Sequence, residues 1–130
     1  MSKFDNQLLK DMPGFEIDGK KYENPVELVL DQLGGRWKMA LLWRLKDQVW
    51  RYGELRSSLK HVTHKMLTQQ LRELEADGYI HRQVYAVVPP KVEYSLTEKG
   101  KTAVPIILLL RDYGLWLMQE AGISEEKRIN

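Results

Sequence analysis

Between Thr63 and Leu96 the apolar pattern changes period at a single residue, Gly78. Before it, Leu67, Leu71 and Leu74 recur at the spacing of one helix face. After it, Ile80, Arg82 and Val84 alternate with His81, Gln83 and Tyr85; Val92, Tyr94 and Leu96 then alternate with Lys91, Glu93 and Ser95. Two such runs in succession predict an antiparallel pair of strands. Pro89 and Pro90 stand between the runs. Lacking an N–H to donate, they belong in the connecting tip, which they hold stiff and extended. A lone hairpin is marginal in water, so this one must lie against helices. Thr97 and Glu98 supply the cap and the first-turn acid of a further helix, and Pro105 predicts a kink within it.

Upstream, "NPVE" is a helix start: Asn24 caps, Pro25 suits the first helical position and Glu27 sits where a capping box places it. The helix is expected to end at Gly34-Gly35. In "RWKMALLWRLKD", Trp37, Leu41, Leu42 and Leu45 share a face, with Met39 and Trp43 off it. "RYGELRSSLK" predicts a short third helix with Tyr52, Leu55 and Leu59 turned inward. "HVT" then makes a turn, and Thr63 caps a fourth helix, "HKMLTQQLRELEAD". Helices, a helix-turn-helix, a two-stranded β-wing and a last helix make a mainly α, winged helix-turn-helix arrangement. Residues 1–23 read as an N-terminal arm, 24–120 as the domain and 121–130 as a tail. Within the arm, Asp18-Gly19 is a hairpin signal, but three residues a side leave hairpin and tail as equal readings.

The 130 residues fit one domain able to bury its own core. There is no cysteine, which excludes disulfides, thiolate metal sites and thiol redox chemistry. The opening "MSKFDNQLLKDMPG" lacks the apolar segment of a signal peptide, and the longest apolar run, 103–110, is too short to span a bilayer. A cytoplasmic protein without a membrane partner is expected. Charge is unevenly spread. Lys and Arg number 4 against 7 Asp and Glu over residues 1–35, then 12 against 7 over 36–99, and 4 against 4 beyond. A basic centre suits a polyanion.

The fourth helix concentrates that charge usefully. Lys65, Gln69 and Arg72 fall opposite the leucine face, flanked by His64 and Thr68. Arg and Lys can bond guanine, Gln can bond adenine and the Thr methyl can touch thymine. Glu73, Glu75 and Asp77 are confined to the C-terminal half, so docking by the N-terminal half is favoured. A merely solvated helix face is the bland alternative, outweighed once the turn and wing are joined to it. Arg82, Pro90 and Lys91 of the wing, with Arg51 and the weaker candidate Arg56, are expected to meet the sugar-phosphate backbone or a minor groove. The partner implied is double-stranded DNA.

Enzyme signals are lacking. His61, His64 and His81 have no HExxH spacing, and there is neither a phosphate loop nor a nucleophile elbow. His61 and His64 have no third metal ligand and read as turn and helix-start residues; no metal or other cofactor is implied. A winged-helix protein-interaction module is the alternative function. It would want exposed apolar anchors where Lys65, Gln69 and Arg72 stand.

The stretches "NPVELVLDQLGGRWKMALLWRL", "RYGELRSSL", "MLTQQLRELEADGYIHRQVY" and "VPPKVEYSLTEKG" together resemble the HxlR-type regulators, bacterial winged-helix transcription factors related in fold to the MarR group. The resemblance covers about residues 24–119. It implies a homodimer with the first and last helices, Leu28 included, at the interface. Two recognition helices would then enter successive major grooves, about 34 Å apart, on a pseudo-palindromic operator. Many members resemble "CPVE" where this chain has Asn24-Pro25-Val26-Glu27, and in some that cysteine senses oxidants. With no thiol here, any signal must act noncovalently or by another route.

The last helix, "AVPIILLLRDYGLWLMQ", is apolar on more than one face. Ile106, Leu109, Leu110, Tyr113 and Leu117 are expected on the domain, leaving Ile107, Leu108, Leu115, Trp116 and Met118 for a second copy. A pocket for an unknown small-molecule effector, lined by Trp37, Trp43 or Trp116, is weighed against plain core packing, which aromatics at helical spacing favour.

Overall fold

The computed structural model describes residues 14–124; residues 1–13 of the expected arm and 125–130 of the expected tail lie outside the described residues. The elements run β1 (Phe15–Ile17), β2 (Lys20–Tyr22), α1 (Pro25–Leu33), α2 (Lys38–Leu45), β3 (Trp50–Arg51), α3 (Tyr52–Ser58), α4 (His64–Ala76), β4 (Ile80–Tyr85), β5 (Lys91–Leu96) and α5 (Glu98–Glu120).

Of the two readings of the arm, its described part takes the hairpin form. Phe15 pairs with Tyr22 across β1 and β2, and their rings stack 5.5 Å apart. Asp18 and Gly19 turn the chain in the left-handed region, at φ 49° and 83°. A hairpin this short is held by docking. The Tyr22 hydroxyl donates to Asp31 Oδ2 of α1 at 2.6 Å, and Lys20 Nζ reaches the same oxygen at 3.3 Å. The Asp31 bond, aided by burial, pushes the Tyr22 phenol up to about 12. The same bond, then Lys20, holds Asp31 below its ordinary range.

Asn24 caps α1, its side-chain oxygen accepting from Glu27 N–H at 3.0 Å. The Glu27 carboxylate reaches past the cap to the Glu23 N–H at 2.5 Å, one residue further back than a capping box requires. The core forms where α2, α3 and α4 meet: Leu41, Leu42, Leu55, Leu67, Leu71 and Leu74 are sealed from solvent. Arg44 ties α2 to the end of α3, donating from Nε to Ser58 Oγ at 2.8 Å and from a terminal nitrogen to Ser58 O at 3.1 Å.

The wing has three strands rather than two, in the order β3-β5-β4. Trp50 and Arg51 pair with Tyr94 and Glu93, so the residues leading into α3 are part of the sheet. A two-residue strand leaves no alternation to read. The wing and α4 meet at Gly78, which at φ 84° ends the helix. Gly78 N–H and Tyr79 N–H take up the carbonyls of Glu75 and Leu74, at 3.0 and 2.9 Å. Thr97 then fastens β5 to this corner, donating to Gly78 O at 2.5 Å while capping α5 through Gly100 N–H at 3.0 Å. Gly100 lies so close that a β-carbon there would stand 2.1 Å from Tyr79 O.

α5 runs unbroken through Pro105. Its phase corrects the assignment made from the sequence. Gly100, Ala103 and Ile107 are the buried residues, so Ile107 belongs to the core and not to a dimer face. Ile106, Leu109, Leu110, Tyr113 and Leu117, expected against the domain, are exposed instead. Gly100 fixes the phase: a residue without a side chain gives the closest approach, and Ala103 and Ile107 follow on its face. Leu108 and Trp116 are exposed; Leu28, Leu115 and Met118 are half-buried. No helix among the described residues is long and apolar enough to cross a membrane.

Candidate nucleic-acid interface

Thr63 starts α4, accepting from Met66 N–H at 3.1 Å. With Leu67, Leu71 and Leu74 held in the core, the helix has no freedom to rotate, and its opposite face is set outward. His64, Lys65, Gln69 and Arg72 are exposed there, and Thr68 is half-buried. Among the described residues, Lys65 and Arg72 have no ion pair, and neither do Arg51, Arg56 and Arg82. Their charge is therefore free to meet a polyanion.

The acidic residues of α4 are not equivalent. Glu73 Oε2 lies 3.0 Å from Nζ of the buried Lys38 and also accepts from Gln70 at 3.3 Å. Its charge is compensated from beneath. Glu75 carries no such partner among the described residues.

Three depressions map the surface. A groove along α4 is lined by His64, Lys65, Thr68, Gln69, Arg72 and Glu73. A cleft of about 390 Å³ separates α4 from the wing. His64, Thr68, Leu71, Arg72 and Glu75 form its helical wall, and Arg82, Val92 and Tyr94 its sheet wall, with Tyr52 at one end. A third groove runs between the wing tip and the start of α3, past Arg51, Val88, Pro90 and Lys91. Ten side chains were expected at DNA; the structure groups nine of them along these depressions. Arg56 stands apart, exposed on α3 and lining none of the three.

Two features escape sequence reasoning. Lys91 is already engaged: its Nζ lies 3.2 Å from Glu93 Oε1 and 4.7 Å from the centre of the Tyr85 ring. The wing tip is consequently apolar, with Val88 fully exposed. Tyr52, read as an inward residue, is half-buried and hydrogen-bonded through its hydroxyl to His64 Nδ1. The two rings meet edge to face at 5.4 Å. The twelve-residue separation left no local signal for that pair. The tryptophans expected around an effector pocket are scattered: Trp37 is in the core, Trp43 at its edge and Trp116 exposed.

A helix-turn-helix whose second helix turns an uncompensated cationic face outward, braced by a wing, defines a winged-helix DNA-binding protein. Known proteins bear this out. The chain belongs to the HxlR-like helix-turn-helix family, whose profile matches residues 32–121. It is 52% identical over 102 residues to the HTH-type transcriptional regulator YdeP of Bacillus subtilis (strain 168), covering 78% of this chain and 80% of YdeP. It is 44% identical over 114 residues to an HTH-type transcriptional regulator of Methanothermobacter thermautotrophicus, covering 88% and 87%. Among solved structures, the HTH-type regulator ytcD superposes with a TM-score of 0.70 at 46% identity, over 74% of this chain and 98% of ytcD. The oxidised form of the redox regulator HypR gives 0.66 at 53% identity, over 69% and 93%. The chain is thus a DNA-binding transcriptional regulator of the MarR-like winged-helix type.

Proposed function

We propose that residues 24–120 act as a homodimer that reads a pseudo-palindromic operator, placing α4 in the major groove and the β4–β5 wing on the backbone or minor groove. The observation that carries this reading is the face of α4. Lys65, Gln69 and Arg72 are exposed and unneutralised, above three leucines that lock the helix in place. Gln69 and Arg72 are the base readers, with His64 and Thr68 beside them; Lys65, Arg51 and Arg82 hold phosphates. Pro90 and Lys91 set the wing tip, and Arg56 is a peripheral phosphate contact.

The second copy is argued from uncovered apolar surface. Val26, Val29 and Leu30 of α1 are exposed, as are Leu108, Leu109, Tyr113 and Trp116 of α5. Tyr113 and Trp116 stack on each other at 5.9 Å, an aromatic pair presented to solvent. Apolar area of this kind on two helices is what a two-fold interface covers. Leu115 and Met118 would close its margin.

The test is duplex selection from random sequence, followed by affinity measurement over a range of salt. A selected inverted repeat, with half-sites one helical turn apart and affinity falling steeply with salt, is the expected result. Salt-insensitive binding, or no enriched sequence, would remove the reading.

A further inference from the structure

The cleft between α4 and the wing has a chemistry that backbone contact alone does not require. Its helical wall contributes Arg72 and its sheet wall Arg82, two guanidinium groups without an ion pair among the described residues. The Thr68 hydroxyl is buried in the same wall and has no hydrogen-bond partner. A buried hydroxyl left unsatisfied is unfavourable, and a ligand oxygen would relieve it. The Tyr52 hydroxyl donates to His64 Nδ1, which leaves the neutral ring its proton on Nε2, one more donor at the cleft. Between these donors the walls are apolar: Leu71, Val92 and the largely buried Tyr94. Glu75 is the one acid among the lining residues, and it excludes a second negative group from its side.

We infer that this cleft is an effector site for a small organic carboxylate with an apolar, ring-sized body. A volume of about 390 Å³ suits such a molecule. The carboxylate would sit between Arg72 and Arg82, where a planar anion meets planar forks of donors, and accept from Thr68. The ring would lie between Val92 and Tyr94. A backbone phosphate shares the oxyanion chemistry but brings no apolar body to match the walls. Since His64, Thr68 and Arg72 also face the operator, bound carboxylate and bound DNA exclude one another, and each weakens the other by the same factor. The site supplies a thiol-free chain with a noncovalent means of release. The inference rests on the reading of α4 as the recognition helix.

The test uses the full-length chain with benzoate as probe, inorganic phosphate as charge-only control and chloride matched for ionic strength. Without DNA, benzoate should perturb the amide resonances of Thr68, Val92 and Tyr94, and phosphate should not. Thr68→Val should weaken benzoate binding roughly tenfold, a change of about 1.4 kcal/mol. Val92→Phe, which fills the cleft, should abolish benzoate binding while operator affinity without benzoate is kept. Val92→Leu, a smaller change, should weaken it if the larger ring does not fold. On operator DNA, benzoate should raise the apparent Kd, and chloride or phosphate of equal ionic strength should not. Phosphate matching benzoate in both assays would mean a DNA-phosphate seat only and would overturn the inference. So would resonance shifts located elsewhere, or benzoate binding untouched in both Val92 variants. Failure of operator binding without any benzoate would instead strike the recognition-helix reading, leaving the direct titration standing.

Discussion

Lys38 Nζ, on the second helix, lies 3.0 Å from Glu73 Oε2 on the recognition helix, with the lysine side chain almost wholly buried. The pair fixes the rotation of α4 from below, while the leucines fix its depth. Replacing Glu73 with Gln leaves a buried ammonium with a poorer partner. Because the carboxylate is partly exposed, the loss should be modest, about 1–2 kcal/mol. Urea denaturation checks this, and Lys38→Met with Glu73→Gln should recover part of the loss.

Gly100 carries a sharper steric constraint. Gly100→Ala sets a β-carbon against Tyr79 O, so α5 or the head of β4 must shift. A loss of about 1–3 kcal/mol or more is expected in thermal denaturation. A wild-type melting temperature would show that the approach is looser than described.

Asp31 gives a pH signature to the hairpin. Its carboxyl is held low in the folded chain, so the stabilisation is present above the ordinary carboxylate range and is lost as pH falls through the folded value. Tyr22→Phe removes the main cause. Wild type should be the more stable at neutral pH, with the difference shrinking at acid pH. A difference constant across that range would assign Tyr22 a packing role alone.

Arg72→Ala should weaken selected operator DNA by about 1–3 kcal/mol and relax preference at one base pair per half-site. Lys65→Ala should act alike on all sequences and lower the salt slope by about 1 for each phosphate it no longer neutralises. Equal salt slopes for wild type and Lys65→Ala would remove Lys65 from the phosphate set.

For the dimer, Leu109 is the apt probe, being 70% exposed on α5. Leu109→Glu should give a folded monomer by light scattering, with operator affinity greatly reduced. Truncation after Gly100 would not discriminate, since it also removes Ala103 and Ile107 from the core.

The order of elements was legible because each boundary carries its own local chemistry: Asn24, Thr63 and Thr97 at helix starts, Gly78 at a stop. The face of α4 was legible because only one side of it is leucine. The phase of α5 was not, since apolar residues lie all round it and periodicity cannot choose among them. What decided it was Gly100, whose role depends on its close approach to Tyr79, twenty-one positions away. Strand β3 and the Tyr52–His64 bond were hidden for the same reason: each is set by a distant partner. Lys91 looked like a free cation because its sequence shows neither the ring of Tyr85 nor the reach of Glu93.

β3 has one more implication. By pairing Arg51 with Glu93 it welds the first helix of the helix-turn-helix to the wing, while Gly78 and Thr97 weld the second. Each subunit therefore meets DNA as a calliper with fixed jaws. Variation in the spacing of half-sites has to be absorbed where two such callipers are hinged together, so operator geometry is tuned through α1 and α5, far from any base.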